Sequence, residues 1–246
     1  MKMDEYFSRS EALLGAVGME MLRTKRVVLF GVGGVGSWCA EALVRTGLTH
    51  LTIIDGDSVQ PSNINRQLPA TQATMGQPKV LALRERLLTI NPEAEINALP
   101  VYYEAQSTKD DVPCTKEAFD FQLSTFDYVI DAIDSVAAKT DLLLCASRVR
   151  GLKIYSSMGA ALRFDPTQVT VGELMSVQGD ALAKAVRARM KKLGTLPHKK
   201  IRCVYSLEQA QRCNTRGSLM QVTAVFGCTL ASLVISDIRR QCTGKA

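Results

Sequence analysis

Residues 27–38 read Val-Val-Leu-Phe-Gly-Val-Gly-Gly-Val-Gly-Ser-Trp. A short apolar strand runs straight into a glycine-rich turn, and a helix pattern follows. A strand joined to a helix in this way is the first half of a βαβ unit, so it commits its surroundings to a parallel sheet. The glycines let backbone approach a ligand closely. The helix start then offers free N–H groups and a positive dipole end to phosphate. Taken alone, Gly31, Gly33, Gly34 and Gly36 fit a redox dinucleotide and ATP equally well.

The hydrophobic periodicity continues the same plan. Strands are predicted at 26–30, 50–54, 95–101, 127–133 and 153–157, with helices at 36–46, 78–90 and 136–150 between them. A helix over 11–22 precedes them, with Leu13, Leu14, Val17 and Met21 on one apolar stripe. Further on, strands are predicted at 167–171 and 202–206, and helices at 181–193, capped by Asp180, and at 219–238. The expected fold is α/β: a Rossmann-like, doubly wound, mostly parallel sheet over about 25–160. Antiparallel strands in the C-terminal half, about 161–246, extend it, so that 1–246 forms a single domain. The stretches 104–124, 194–200 and 211–217 read as surface segments.

Composition narrows the partners. The net charge of +6 and a pI near 9.0 suit an anionic partner such as nucleic acid. None of the seven cysteines forms a CxxC pair, so no structural zinc is expected. They read as reduced thiols, mostly small buried hydrophobes, in a cytoplasmic protein. The uncharged run 219–236 carries Gln221 and several hydroxyl residues, so it reads as a buried helix rather than a membrane span. His50 and His198 are isolated and read as surface residues.

The polar positions separate the two nucleotide classes. Asp55 closes the second strand, 19 residues after Gly36, where a carboxylate can accept the ribose hydroxyls of either nucleotide. Asn63, Arg66 and Gln67 follow, and then Lys79 at a helix start. Hydride transfer has no need of this Arg and Lys. Attack on the α-phosphate of a triphosphate does, because its charge must be neutralised. Asp131 and Asp134 end the fourth strand, at the edge that borders the ligand crevice, and Asp134 is placed to hold Mg²⁺.

GVGGVG, Asp55-x-Asp57, NINRQ, GQPK and DAID occur together and in this order. As a set they resemble the ubiquitin-activating-type adenylating enzymes, the ThiF/MoeB/HesA superfamily, which includes the activators of sulfur-carrier proteins. The resemblance implies that the four glycines line the ATP phosphates and that Asp55 holds the ribose, with Asp57 also in the nucleotide site. It also implies that Asn63, Arg66, Gln67 and Lys79 surround the triphosphate, with Asp134 on Mg²⁺. Tyr6-Phe7-Ser8-Arg9 matches an N-terminal arginine motif, which implies a homodimer in which Arg9 reaches the partner's ATP. GVGGVGSWCAEALVRTG, YVIDAIDSVAAK, FDPTQVTV and CVYSLE are similar to the tRNA threonylcarbamoyladenosine dehydratase branch. That branch implies a tRNA substrate, modified next to the anticodon, whose threonyl carboxylate is adenylated and then cyclised with loss of water. Arg66, Lys79, Asp134 and Arg9 are the residues expected to carry the chemistry.

The alternative is adenylation of the C-terminal glycine of a sulfur-carrier protein. The missing zinc hooks of those activators argue against it. A nucleotide-sensing scaffold would not need Arg66, Lys79 and Asp134. A sulfur-transfer protein is left open as a further partner. For tRNA, Lys184, Arg187 and Lys191 share one face of the 181–193 helix, with Lys192 beside them, and could track phosphates.

Overall fold

The computed structural model describes residues 3–104, 122–211, 215 and 217–244. Most of the predicted surface segment 104–124 lies outside them, as do Cys114 and Cys213. Seven strands form one sheet: β1 (Arg26–Phe30), β2 (His50–Ile54), β3 (Glu95–Leu99), β4 (Tyr128–Asp131), β5 (Lys153–Ser157), β6 (Val169–Glu173) and β7 (Arg202–Ser206). Their order is β3-β2-β1-β4-β5-β7-β6. Every neighbouring pair is parallel except β6–β7. β7 therefore prolongs the parallel run, and the antiparallel extension comes down to β6 alone.

Strand side chains alternate between two cores, as period two requires. Val27 and Leu29 enter one apolar cluster; Val28 and Phe30 enter the other. The first cluster is covered by α2 (Ser8–Thr24), α3 (Gly36–Thr46), α4 (Lys79–Ile90) and α7 (Met220–Thr243). The second is covered by α5 (Val136–Arg148) and α6 (Ala181–Leu193). A four-residue helix, α1 (Met3–Tyr6), comes before α2.

Among the described residues α7 is the one helix long and apolar enough to cross a membrane, and 56% of its apolar window is buried inside the fold. A Cβ at Gly227 would overlap the Val35 carbonyl, which is how closely α7 packs on the start of α3. The N-terminal stripe is corrected in part: Leu14 and Met21 pack against the first cluster, and Leu13 and Val17 do not. Gly15 adopts φ 73°, ψ 164° and kinks α2, which changes the phase of its faces. Gly18, Met19 and Leu22 pack inward, while Leu13 and Val17 are 87% and 69% exposed. The cysteine expectation holds for Cys39, Cys145 and Cys203, which are buried, but Cys228 lies exposed on α7.

Candidate active site

The strand order reverses between β1 and β4, and the crevice at such a switch opens at the carboxyl ends of the strands. The glycine loop leaves β1 at that point. Gly31 takes φ +84°, and a Cβ there would lie 2.7 Å from the Ala132 carbonyl oxygen across the crevice. A Cβ at Gly36 would overlap the Gly31 carbonyl. The turn is closed by these two glycines. α3 then starts with no side-chain cap; the Ser37 N–H donates to the Gly33 carbonyl at 3.1 Å, and the helix start remains suited to an anion.

Asp55 ties the loop to β2. Its Oδ2 accepts the Val32 N–H at 2.8 Å and its Oδ1 accepts the Asp57 N–H at 2.9 Å. Burial pushes this carboxyl up, and the two N–H donors with nearby Lys79 only partly offset it. Asp57 differs. Burial would raise it too, but hydrogen bonds from Lys79 and Tyr102 hold it below the usual carboxylate range. Lys79 is buried, and its Nζ lies 2.6 Å from Asp57 Oδ2.

The NINRQ segment folds back onto the loop. Trp38 donates its indole N–H to the Arg66 carbonyl at 3.0 Å. The position of a Cβ on Gly34 would be 3.2 Å from Arg66 Cγ and 3.4 Å from Thr223 Cβ. Gln67 reaches the loop at Gly33, and its buried Oε1 has no hydrogen-bond partner. A loop stripped of Cβ atoms, a helix start without a side-chain cap and two cations together fit a nucleoside triphosphate, and the unpartnered Gln67 oxygen calls for a ligand N–H or O–H donor.

Residues 7–243 match the sequence pattern described as ThiF family. This chain is a ThiF-family protein. It is 40% identical over 188 residues to the tRNA threonylcarbamoyladenosine dehydratase of Bacillus subtilis, covering 76% of this chain and 70% of the relative. It is 33% identical over 240 residues to the enzyme of that name from Haemophilus influenzae, covering 89% and 88%. The Escherichia coli dehydratase crystallised with ATP superposes with a TM-score of 0.83 at 30% identity, over 99% of this chain and 97% of that one.

The other predicted residues of this ThiF-family protein fall in different places. Asp134 is exposed just beyond the end of β4. Asn63 is buried, and its Oδ1 accepts the Gln60 N–H at 3.0 Å, so it shapes its own turn. Arg66 is half-buried and donates to the Ser62 carbonyl at 2.8 Å and to Asn65 Oδ1 at 2.9 Å. Arg9 is exposed and does not join this site within one chain. Its near neighbour Phe7 packs at Gly47, the far end of α3 from the glycine loop, roughly 16 Å along that helix. Lys184, Lys191 and Lys192 are exposed on α6, while Arg187 is turned inward and donates to the Leu174 carbonyl at 2.9 Å.

Asp131 is a correction. It is fully buried and does not line the crevice. Its Oδ2 takes the Lys139 ammonium and the Ser156 hydroxyl, each at 2.5 Å, and its Oδ1 accepts the Ile133 N–H at 3.0 Å. Sequence reasoning missed this pair. The available signal was a lysine in the first turn of a helix, where the dipole opposes a cation unless a carboxylate faces it. Asp180 does cap α6, accepting the Ala183 N–H at 2.9 Å. It also pairs with buried Arg163 at 3.2 Å and accepts the Gly159 N–H at 3.0 Å, which fastens α6 to the loop leaving β5.

Proposed function

We propose that this protein is an ATP-dependent tRNA threonylcarbamoyladenosine dehydratase. The observation that carries the reading is the near full-length likeness to dehydratases, one of them crystallised with ATP, together with a crevice suited to a triphosphate. In the proposed reaction the threonyl carboxylate of the modified adenosine attacks the α-phosphorus of ATP and displaces pyrophosphate. The carbamoyl oxygen then closes on the activated carbonyl, AMP leaves, and a proton is lost from nitrogen. The sum is loss of the elements of water from the nucleoside.

The chain's own groups divide this work. The N–H groups at the start of α3 receive the phosphates, and Asp55 accepts the ribose hydroxyls beside Asp57. Arg66 and Lys79 offset the charge that builds as pyrophosphate leaves, with Asn63 and Gln67 shaping the wall. Asp134 would hold Mg²⁺, which would supply further charge neutralisation. The nucleophile of each step lies within the substrate, so positioning suffices and no cysteine need attack. Burial pushes the Cys203 thiol up to about 12, which suits a packing role.

The exposed Arg9, remote from its own crevice, supports a homodimer in which it completes the partner's site. Lys184, Lys191 and Lys192 are the groups on α6 free to meet tRNA phosphates. A cytoplasmic location and a sulfur-transfer partner belong to the same proposal. The second reading, adenylation of a sulfur carrier's C-terminal glycine, rests on 34% identity over 154 residues to the molybdopterin-synthase adenylyltransferase of Escherichia coli, 56% of that protein. The deciding experiment combines protein, ATP, Mg²⁺ and tRNA bearing threonylcarbamoyladenosine, and then measures the nucleoside mass. Loss of one water with AMP release is expected. An unchanged mass overturns the proposal.

A further inference from the structure

Tyr102 follows β3 at the carboxyl edge of the sheet and is 62% exposed, yet it is held at three points. Its hydroxyl donates to Asp57 Oδ1 at 2.8 Å. Its ring lies flat against the backbone of Gly56, where a Cβ would come within 2.5 Å of the ring's Cδ2 and within 2.6 Å of Cγ. Its neighbour Tyr103 is anchored edge-on against Phe30, centroids 5.4 Å apart, at the residue that leads into the glycine loop. The ring thus sits over the Asp55-Gly56-Asp57 corner, and the glycine between the two carboxylates is what admits it.

Asp57 has two donors in this arrangement. Lys79 holds Oδ2 and Tyr102 holds Oδ1. Lys79 has three N–H donors and spends one on Asp57, so it can offer the others to a triphosphate, and its hold on Asp57 loosens as it turns. A carboxylate that loses its one cation is left poorly satisfied, whereas one that keeps a hydroxyl donor is not. We propose that Tyr102 is a positioning residue of the nucleotide site: its ring closes the ribose corner over Gly56, and its hydroxyl holds Asp57 so that Lys79 can turn to the phosphates of ATP. The inference rests on the ATP reading of this crevice and adds a residue that no motif in the sequence marks.

The test is binding of ATP with Mg²⁺ by calorimetry, with no tRNA present. Thermal unfolding of each variant serves as a check on the fold, which an exposed side chain leaves intact. Y102F is expected to weaken ATP binding about 3- to 10-fold, the effect of one ordinary hydrogen bond. Y102A is expected to weaken it further, because the ring is lost as well. In a D57N background Y102F has no further effect, since the hydroxyl acts through that carboxylate. G56A weakens binding in the wild-type chain by displacing the ring, and is neutral once Y102A has removed it. Equal affinity of wild type, Y102F and Y102A overturns this inference alone. Independent, multiplying effects of Y102F and D57N overturn it too. A wild-type chain that binds no ATP overturns both this inference and the reading it rests on.

Discussion

Lys139 and Asp131 form an ion pair in which both side chains are fully buried, Nζ lying 2.5 Å from Oδ2. Lys139 also donates to the Ser157 carbonyl at 2.9 Å and approaches Ser156 Oγ at 3.3 Å, so one ammonium joins α5, β4 and β5 at the crevice end of the sheet. Removing one partner strands the other charge. K139M is expected to destabilise the fold by about 3–5 kcal/mol in urea unfolding. The paired change D131N with K139M recovers a large part of that loss, because no unpaired charge remains.

Gly36→Ala puts a methyl group onto the Gly31 carbonyl oxygen. Backbone cannot yield as a flexible side chain does, so the turn must open. The expected cost is about 1–3 kcal/mol of stability. Loss of ATP binding is expected to exceed the loss of fold, because the shifted N–H groups are those proposed to receive phosphate. Calorimetry beside thermal unfolding separates the two effects.

Arg66→Ala removes a guanidinium whose partners are one backbone carbonyl and an exposed amide, while the Trp38 bond uses the Arg66 backbone and survives. The fold is therefore expected to persist with little change in melting temperature. Turnover in the AMP-release assay falls about 10²- to 10³-fold if Arg66 offsets transition-state charge. A fall of less than tenfold would reassign it.

Mixing tests the shared-site dimer. R9A and R66A proteins are each expected to be inactive. Reassociated at random, half of the dimers are mixed and each of those has one intact site, so about a quarter of wild-type activity returns. No recovery on mixing, with a dimer confirmed by sedimentation, removes Arg9 from the site.

Glu41 gives the pH prediction. It is buried, pairing with Arg86 at 2.6 Å and Arg45 at 2.8 Å. Burial would raise its carboxyl, but the two guanidinium groups hold it below the usual carboxylate range. A folded pKa below the unfolded one gives stability that is present above the unfolded value and is lost as pH falls through the folded value. The stability gap between wild type and E41Q is therefore expected to be constant near neutrality and to shrink as pH falls below about 4. Urea titrations across that range measure it.

Much of the site could be read before the fold was known because its parts are local. Gly31 to Gly36 make a turn whose geometry depends on residues next to one another. Asp55 stands out because it follows a strand, and Lys79 because it opens a helix, and both positions are local. Asp131 was misplaced for the complementary reason. A strand's last carboxylate faces either the crevice or the core, and the answer depended on Lys139 arriving from α5. Leu13 and Val17 leave the apolar stripe on α2, while Leu14 and Met21 keep to it, because a single glycine with positive φ, Gly15, rotates one half of the helix against the other.

Tyr102 shows the limit most plainly. Forty-five residues separate it from Asp57, and nothing in its immediate sequence marks it. The sequence alone determined the alternation of strands and helices, the glycine turn and the set of charges suited to ATP, because periodicity, backbone freedom and charge are properties of short segments. The tertiary structure decided which carboxylates were buried with a cation and which faced the crevice. It also decided that an apolar helix would pack into the core and that Arg9 would lie exposed, away from the glycine loop of its own chain. Those outcomes depend on desolvation and on distances between segments remote in the chain, and a sequence does not carry either until it folds.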